Sequence, residues 1–200
     1  MKLNIPNMLT IIRILLCPVF ILFIVYPFFG ETVWGIFTAA AVFGIAALTD
    51  FFDGKIARAR KLVTNFGTFL DPLADKFMIF SAVVSICFSK HVIPDDTAFS
   101  QIFFWCGTVI IFRELAVTSM RLVVSGEKGI VVPANYLGKI KTVTQIICVL
   151  VTLLECAFLP DLFGGVRIFG IVTTLIATLF TVISGANYFK AYWKYIKPSK

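Results

Sequence analysis

The chain is expected to be an all-α integral membrane protein, with six transmembrane helices and a short N-terminal interfacial helix. Two observations lead to this. Hydrophobic residues make up 59% of the 200 and charged residues only 14%, with a mean hydropathy of +0.95, which leaves too little polar surface for a soluble domain. Six apolar runs, each near the roughly 20 residues a helix needs to cross the hydrocarbon core, follow one another along the sequence. No repeat, low-complexity tract or linker interrupts them, so residues 1–200 read as one membrane domain.

The opening KLNIPNMLTIIR places Pro6 where a first helical turn tolerates it. It also sets Asn7, Thr10 and Arg13 at successive i, i+3 steps among apolar residues, a pattern suited to a short helix lying in the interface. No small-residue cleavage site follows, because apolar sequence runs on to Phe29, so the segment does not read as a secretion signal. Spans are expected over Ile11–Phe29, Thr32–Phe51, Leu73–Phe88, Ile102–Val124, Leu137–Phe158 and Val166–Tyr188. An even number of spans puts both termini on the same side.

Charge chooses that side. All of the 18 Lys and Arg except Lys90 and Arg167 belong to the termini and to the second and fourth connections with their adjoining span ends. The positive-inside rule assigns that set to the cytoplasm. Glu31, Asp95, Asp96, Glu155 and Asp161 belong to the opposite side. The formal net charge of +7 and the pI of about 9.3 thus describe a polarised protein whose basic face meets anionic lipid headgroups. Nucleic acid is not the expected partner, since no basic soluble domain exists to carry it. Cys17, Cys87, Cys106, Cys148 and Cys156 are scattered through apolar spans without metal-ligand spacing and read as small core residues. The basic face has no Ser/His/Asp or Cys/His arrangement for covalent catalysis.

The chemistry is concentrated in the second connection and its flanks, DFFDGKIARARKLVTNFGTFLDPLAD. A carboxylate carried into a bilayer costs about 2.5–3.5 kcal/mol on insertion scales, so several close together call for a compensating partner. Asp50 and Asp53 are spaced i, i+3 at the end of one helix, and Asp71 and Asp75 i, i+4 near the start of the next, so each pair shares a helix face. If the helices run antiparallel, the pairs face each other. Such an all-oxygen set, without His or Cys, suits Mg2+ or Mn2+ better than zinc, and two ions bridged by shared carboxylates fit it. The alternative is that these aspartates cap helices and form surface ion pairs with Lys55, Arg58, Arg60 and Lys61. Gly54, Ala57 and Gly67 lack bulk, which would let a ligand approach the backbone or let helices pack tightly. Arg58 is permanently charged and suited to paired bonds with a pyrophosphate. Metal ions beside a pyrophosphate are the core of two-metal phosphoryl transfer.

Written as D-x-x-D-G-x-x-A-R, eight residues, then G-x-x-x-D-x-x-x-D, the segment places Asp50, Asp53, Gly54, Ala57, Arg58, Gly67, Asp71 and Asp75 at fixed positions. It resembles the CDP-alcohol phosphatidyltransferases at every one of them, and the resemblance extends over most of the chain. That resemblance implies a CDP-diacylglycerol donor and metal ions held by Asp50, Asp53, Asp71 and Asp75. It also implies that Asp75 acts as general base and that CMP is expelled without a covalent enzyme intermediate. By the same resemblance Asp53, Gly54, Ala57, Arg58 and Gly67 bind the CDP moiety, and the opening segment leads into the site, making Asn7 and Thr10 candidates for lining it. A homodimer and a bacterial plasma membrane are implied as well, with the active site and both termini facing the cytoplasm. Gly164, Gly165, Gly170 and Gly185 are small residues that could mediate the dimer.

The fourth span bears on the acceptor. Arg113 and Glu114 fall near its middle, and Arg121 lies at i+8 from Arg113 on the same face. Lys139 and Lys141 open the fifth span from the same side. Either Arg113 is paired for structure alone, or the face lines a wet cavity with anionic contents. FRELAVTSMR and YLGKIKTVTQ resemble the corresponding segments of bacterial members of the family that act on sn-glycerol 3-phosphate, so the resemblance implies this acceptor. Arg113, Arg121, Lys139 and Lys141 are then candidate phosphate contacts and Thr118 a hydroxyl partner. Glu114 is expected to be an internal partner for Arg113 or Arg121, and Lys139 and Lys141 could instead be membrane-surface anchors. Inositol phosphate, serine or phosphatidylglycerol as acceptor, and a divalent-cation transporter, are the competing readings.

Overall fold

Inside a bilayer every backbone N–H and C=O must find its partner within the protein, so apolar runs of this length become helices. Among the described residues six follow in chain order: α1 (Ile5–Val25), α2 (Val33–Arg60), α3 (Asn65–Phe88), α4 (Ala98–Lys128), α5 (Tyr136–Phe158) and α6 (Ile168–Ile196). The computed structural model describes residues 4–26, 33–60, 64–93, 98–128, 136–159 and 166–196, and no strand occurs among them. All helices except α3 are long and apolar enough to cross a membrane, which makes this a multi-pass membrane protein. The exception follows from composition: α3 carries Asp71, Asp75 and Lys76 within its first half.

Several boundaries differ from the expected spans. The second helix continues to Arg60 and the third begins at Asn65, so the whole motif except the short connection is helical. Thr64 makes that possible. Its hydroxyl accepts a hydrogen bond from Gly67 N at 3.0 Å, an N-cap worth about 1 kcal/mol. The separate interfacial helix expected at the N-terminus is not found among the described residues. Residues Ile5–Val25 form one helix with a proline in its first turn. Asn7, Thr10 and Arg13 are all buried, because their polar groups have partners on neighbouring helices and gain nothing from the membrane surface.

Helix α1 packs on α2 and α3, α5 packs on α6 and α2, and α4 packs on α6, with lighter contacts from α3 to α2, α4 and α5. Ala39, Ala40 and Ala46 of α2 are buried, small residues of the kind that allow close helix approach where no hydrophobic effect drives association. Phe20 of α1 packs against Phe43 of α2 with ring centroids 5.5 Å apart. Large apolar side chains such as Leu15, Phe88, Trp105 and Phe112 point outward, as a lipid-facing surface requires. Of the cysteines expected in the core, Cys17, Cys148 and Cys156 are buried, whereas Cys106 is half-buried and Cys87 exposed.

Candidate active site

The C-terminal part of α2 and the N-terminal part of α3 carry the motif aspartates, and α1 clasps both. The guanidinium of Arg13 is wholly buried and pairs with Asp50 across 2.6 Å. One turn earlier, Thr10 Oγ1 donates to Asp71 Oδ1 at 2.8 Å. A further turn back, Asn7 Nδ2 donates to Thr64 Oγ1 at 3.0 Å. The i, i+3 stripe of α1 thus ties down both aspartate-bearing helices.

Gly67 explains how α1 comes so close. A Cβ at that position would lie 2.6 Å from Asn7 Oδ1 and 3.2 Å from Thr64 Oγ1, so the missing side chain makes room for Asn7. Of its two anticipated roles, close helix approach is the one this geometry displays. Asn7 and Thr10, expected to line the site, bond Thr64 and the motif aspartate Asp71. Asp53, Gly54, Ala57 and Arg58 belong to the last turns of α2, and their side chains lie outside the described residues.

A cavity of about 670 Å³ opens beside this edge. Asp50, Asp75 and Lys76 form one wall. Arg113, Thr118 and Arg121 of α4, Lys139 and Lys141 of α5 and Tyr188 of α6 face them. The five residues selected for the acceptor therefore share one space with two of the four motif aspartates. Asp71 is exposed and turned toward Thr10.

Electrostatics at the α4–α5 wall are organised around Glu114. Its Oε1 accepts from Lys141 Nζ at 2.6 Å and from Arg113 Nη1 at 3.1 Å. All three residues are buried, and an unpaired charge there would be costly. Glu114 is thus an internal partner, as anticipated, though it serves Lys141 together with Arg113. Arg113 also donates through Nη2 to Ser184 Oγ at 2.7 Å. Arg113 and Arg121 each lie 5.6 Å from the Tyr188 ring centroid, which bears out the shared face inferred from their spacing. Thr118 donates to the Glu114 carbonyl at 2.7 Å, leaving its hydroxyl oxygen as an acceptor toward the cavity. With Lys76, Arg113, Arg121, Lys139 and Lys141 set against Asp50, Asp75 and Glu114, cations outnumber acids among the described lining residues.

Four contributors are not singled out by the sequence pattern, among them Lys76, which lines the cavity directly after the last motif aspartate. Arg13 had been noted only as part of a polar stripe, although a charge at that position within an apolar run was itself a signal. Ser184 and Tyr188 gave none, because serine and tyrosine near a span end are ordinary. Whether the site suits a metal turns on its donors. Among the described residues no group of three His, Cys, Asp or Glu converges, but Asp50 and Asp75 face one cavity. Their all-carboxylate chemistry fits a hard divalent cation.

The sequence model of the family described as CDP-alcohol phosphatidyltransferase matches residues 3–187. The chain belongs to that family. Its relatives include the CDP-diacylglycerol–glycerol-3-phosphate 3-phosphatidyltransferase of Bacillus subtilis, 40% identical over 98% of each chain. The enzyme of the same name from Yersinia enterocolitica is 34% identical over 97% of each chain. A probable phosphatidylglycerophosphate synthase of Mycobacterium tuberculosis is 35% identical over 92% of this chain and 79% of its own. As a CDP-alcohol phosphatidyltransferase the protein is an enzyme, and the transporter reading falls away. The family match takes in every cavity residue named above except Tyr188, which lies one position beyond it.

Proposed function

We propose that this phosphatidyltransferase moves the phosphatidyl group of CDP-diacylglycerol to sn-glycerol 3-phosphate, giving phosphatidylglycerophosphate and CMP. The observation that carries the reading is the shared cavity, in which Asp50 and Asp75 face the cations Arg113, Arg121, Lys139 and Lys141. Among the described lining residues, five cations against three acids leave the cavity net positive even with Glu114 paired to Arg113 and Lys141, an excess that a phosphate-bearing acceptor would offset and a neutral alcohol would not. The names of the Bacillus and Yersinia relatives carry that donor and acceptor, and the name of the Mycobacterium relative carries the product.

Asp50, Asp53, Asp71 and Asp75 would hold divalent cations, Mg2+ or Mn2+, in a pair. When bound, such ions supply neutralisation of the donor pyrophosphate and stabilise the leaving group. Gly54, Ala57 and Arg58 are assigned to the CDP moiety from the family motif. Gly67, Asn7 and Thr10 contribute to that subsite by seating α1 against α3. Arg113, Arg121, Lys139 and Lys141 take the acceptor phosphate, and the Thr118 oxygen accepts from an acceptor hydroxyl. Asp75 then receives the proton of the attacking hydroxyl as its oxygen bonds to the lipid-linked phosphorus. The bond from that phosphorus to CMP breaks in the same displacement, and no enzyme residue is alkylated or phosphorylated.

We assign the cavity to the cytoplasmic side of a bacterial plasma membrane, on the positive-inside distribution of Lys and Arg. One membrane domain carries the whole activity, and a homodimer is the proposed assembly, on the family resemblance. The test is CMP release by the purified protein from CDP-diacylglycerol. Glycerol 3-phosphate, inositol phosphate, serine and phosphatidylglycerol are offered separately, with Mg2+, Mn2+ or a chelator. Chelator-sensitive release with glycerol 3-phosphate alone is expected; release with another acceptor instead would overturn the acceptor assignment.

A further inference from the structure

We propose that Tyr188, together with Ser184 and Gly185 one turn before it on α6, is a positioning element. It holds the Arg113 and Arg121 guanidinium groups beside each other with hydrogen-bond donors still available, and so creates the preference for a phosphate-bearing acceptor. The inference rests on the acceptor reading above and adds residues to which neither the motif nor the names of the relatives assign a role.

Arg113 and Arg121 lie eight residues apart on α4, about 12 Å along a helix axis, yet both guanidinium carbons come within 5.6 Å of one ring centroid. Two cations leaning toward a common point repel each other. A carboxylate placed there would relieve the repulsion, but it would also occupy the donors and cancel the positive potential. An aromatic face attracts both cations through its quadrupole and occupies few of their N–H groups. The bond from Arg121 Nη2 to the Tyr188 hydroxyl is long at 3.5 Å.

The ring is itself fixed. Tyr188 is buried and stacks on Tyr192, with centroids 6.3 Å apart and planes 17° from parallel. Helix α5 approaches it at Gly138, where a Cβ would be 3.5 Å from the Tyr188 hydroxyl. Gly185 clears the path of Arg113: a Cβ there would lie 3.0 Å from Arg113 Cγ and 3.5 Å from Nε. Ser184 Oγ then receives Nη2 at 2.7 Å. Helix α6 thereby sets the stem, the end and the face of Arg113, and the face of Arg121, without contributing a charge of its own.

The experiment compares the full-length wild-type protein with Tyr188→Phe, Tyr188→Leu and Gly185→Ala in CMP-release kinetics, varying glycerol 3-phosphate and CDP-diacylglycerol in turn. Loss of the ring in Tyr188→Leu should raise the glycerol 3-phosphate KM about tenfold, the scale of two partly desolvated cation–π contacts. The CDP-diacylglycerol KM and kcat should stay within about twofold, as for an interaction that bears on one substrate. Tyr188→Phe should restore most of the loss, and Gly185→Ala should raise the acceptor KM alone by about threefold through displacement of Arg113. Equal effects on both substrates, no effect of Tyr188→Leu, or a Phe variant as impaired as Leu would each overturn the inference. Phosphorus NMR titration of wild type and Tyr188→Leu with inorganic phosphate tests the cradle apart from the acceptor. Weaker phosphate binding in the variant upholds it even if another acceptor proves to be the substrate, and equal binding overturns it. Should Tyr188→Leu fail to accumulate, Gly185→Ala decides by the same KM split.

Discussion

Two buried glutamates, on α5 and α4, show how little burial alone reveals. Glu155 of α5 accepts Phe169 N at 3.0 Å on one oxygen and Gly170 N at 2.6 Å on the other. Both donors are backbone groups of the first turn of α6, so the carboxylate closes a helix N-terminus and complements its dipole. Glu114 of α4 is equally buried but is held by the side chains of Lys141 and Arg113, which keep further donors facing a cavity of about 670 Å³. An acid satisfied by fixed backbone groups is a fastener. An acid that holds surplus cation donors at the edge of an open space prepares a place for an anion.

The largest expected effect lies on the wall opposite Glu114. Asp75→Asn should lower turnover by about 10²–10⁴-fold, the usual contribution of a general base, while the protein still inserts and purifies. Near-normal CMP release would remove Asp75 from the chemistry. Glu114→Gln comes next: leaving Arg113 and Lys141 buried around a neutral amide should cost about 3–5 kcal/mol. That loss should divide between thermal stability and the glycerol 3-phosphate KM, and a purely thermal loss would make Glu114 as structural as Glu155. For Glu155→Gln we expect a lower melting temperature corresponding to about 1–3 kcal/mol, with both substrate KM values unchanged. A selective rise in one of them would break the contrast. Smallest should be Thr10→Val, about 1 kcal/mol, because water can replace the lost bond at the exposed Asp71 carboxylate. Its melting curve against wild type measures how much of the clasp this bond supplies.

What could be read from the sequence follows a physical line. Length and hydropathy set the number of helices, since a bilayer accepts few alternatives. Helical periodicity placed Arg113 and Arg121 on one face before any contact was known, and both indeed meet Tyr188. Periodicity names a face but not the neighbour that covers it. The stripe of Asn7, Thr10 and Arg13 was legible as a stripe, yet its partner residues Thr64 and Asp71 lie 57 and 61 residues away in sequence. Nothing local distinguishes a membrane-surface face from one that clasps two helices. Ser184 was hidden for the same reason, lying 71 residues from Arg113.

The Arg13–Asp50 pair also bears on how the protein is made. Arg13 belongs to a helix made before α2, and its guanidinium ends completely buried against an acid that follows 37 residues later in the chain. Until α2 arrives, α1 must carry that charge at the membrane edge, where its long stem can reach water. Pairing with Asp50 gives the buried charge its acid. The Arg13–Asp50 pair needs only α1 and α2, both of which precede the cation-bearing α4 and α5 in the chain.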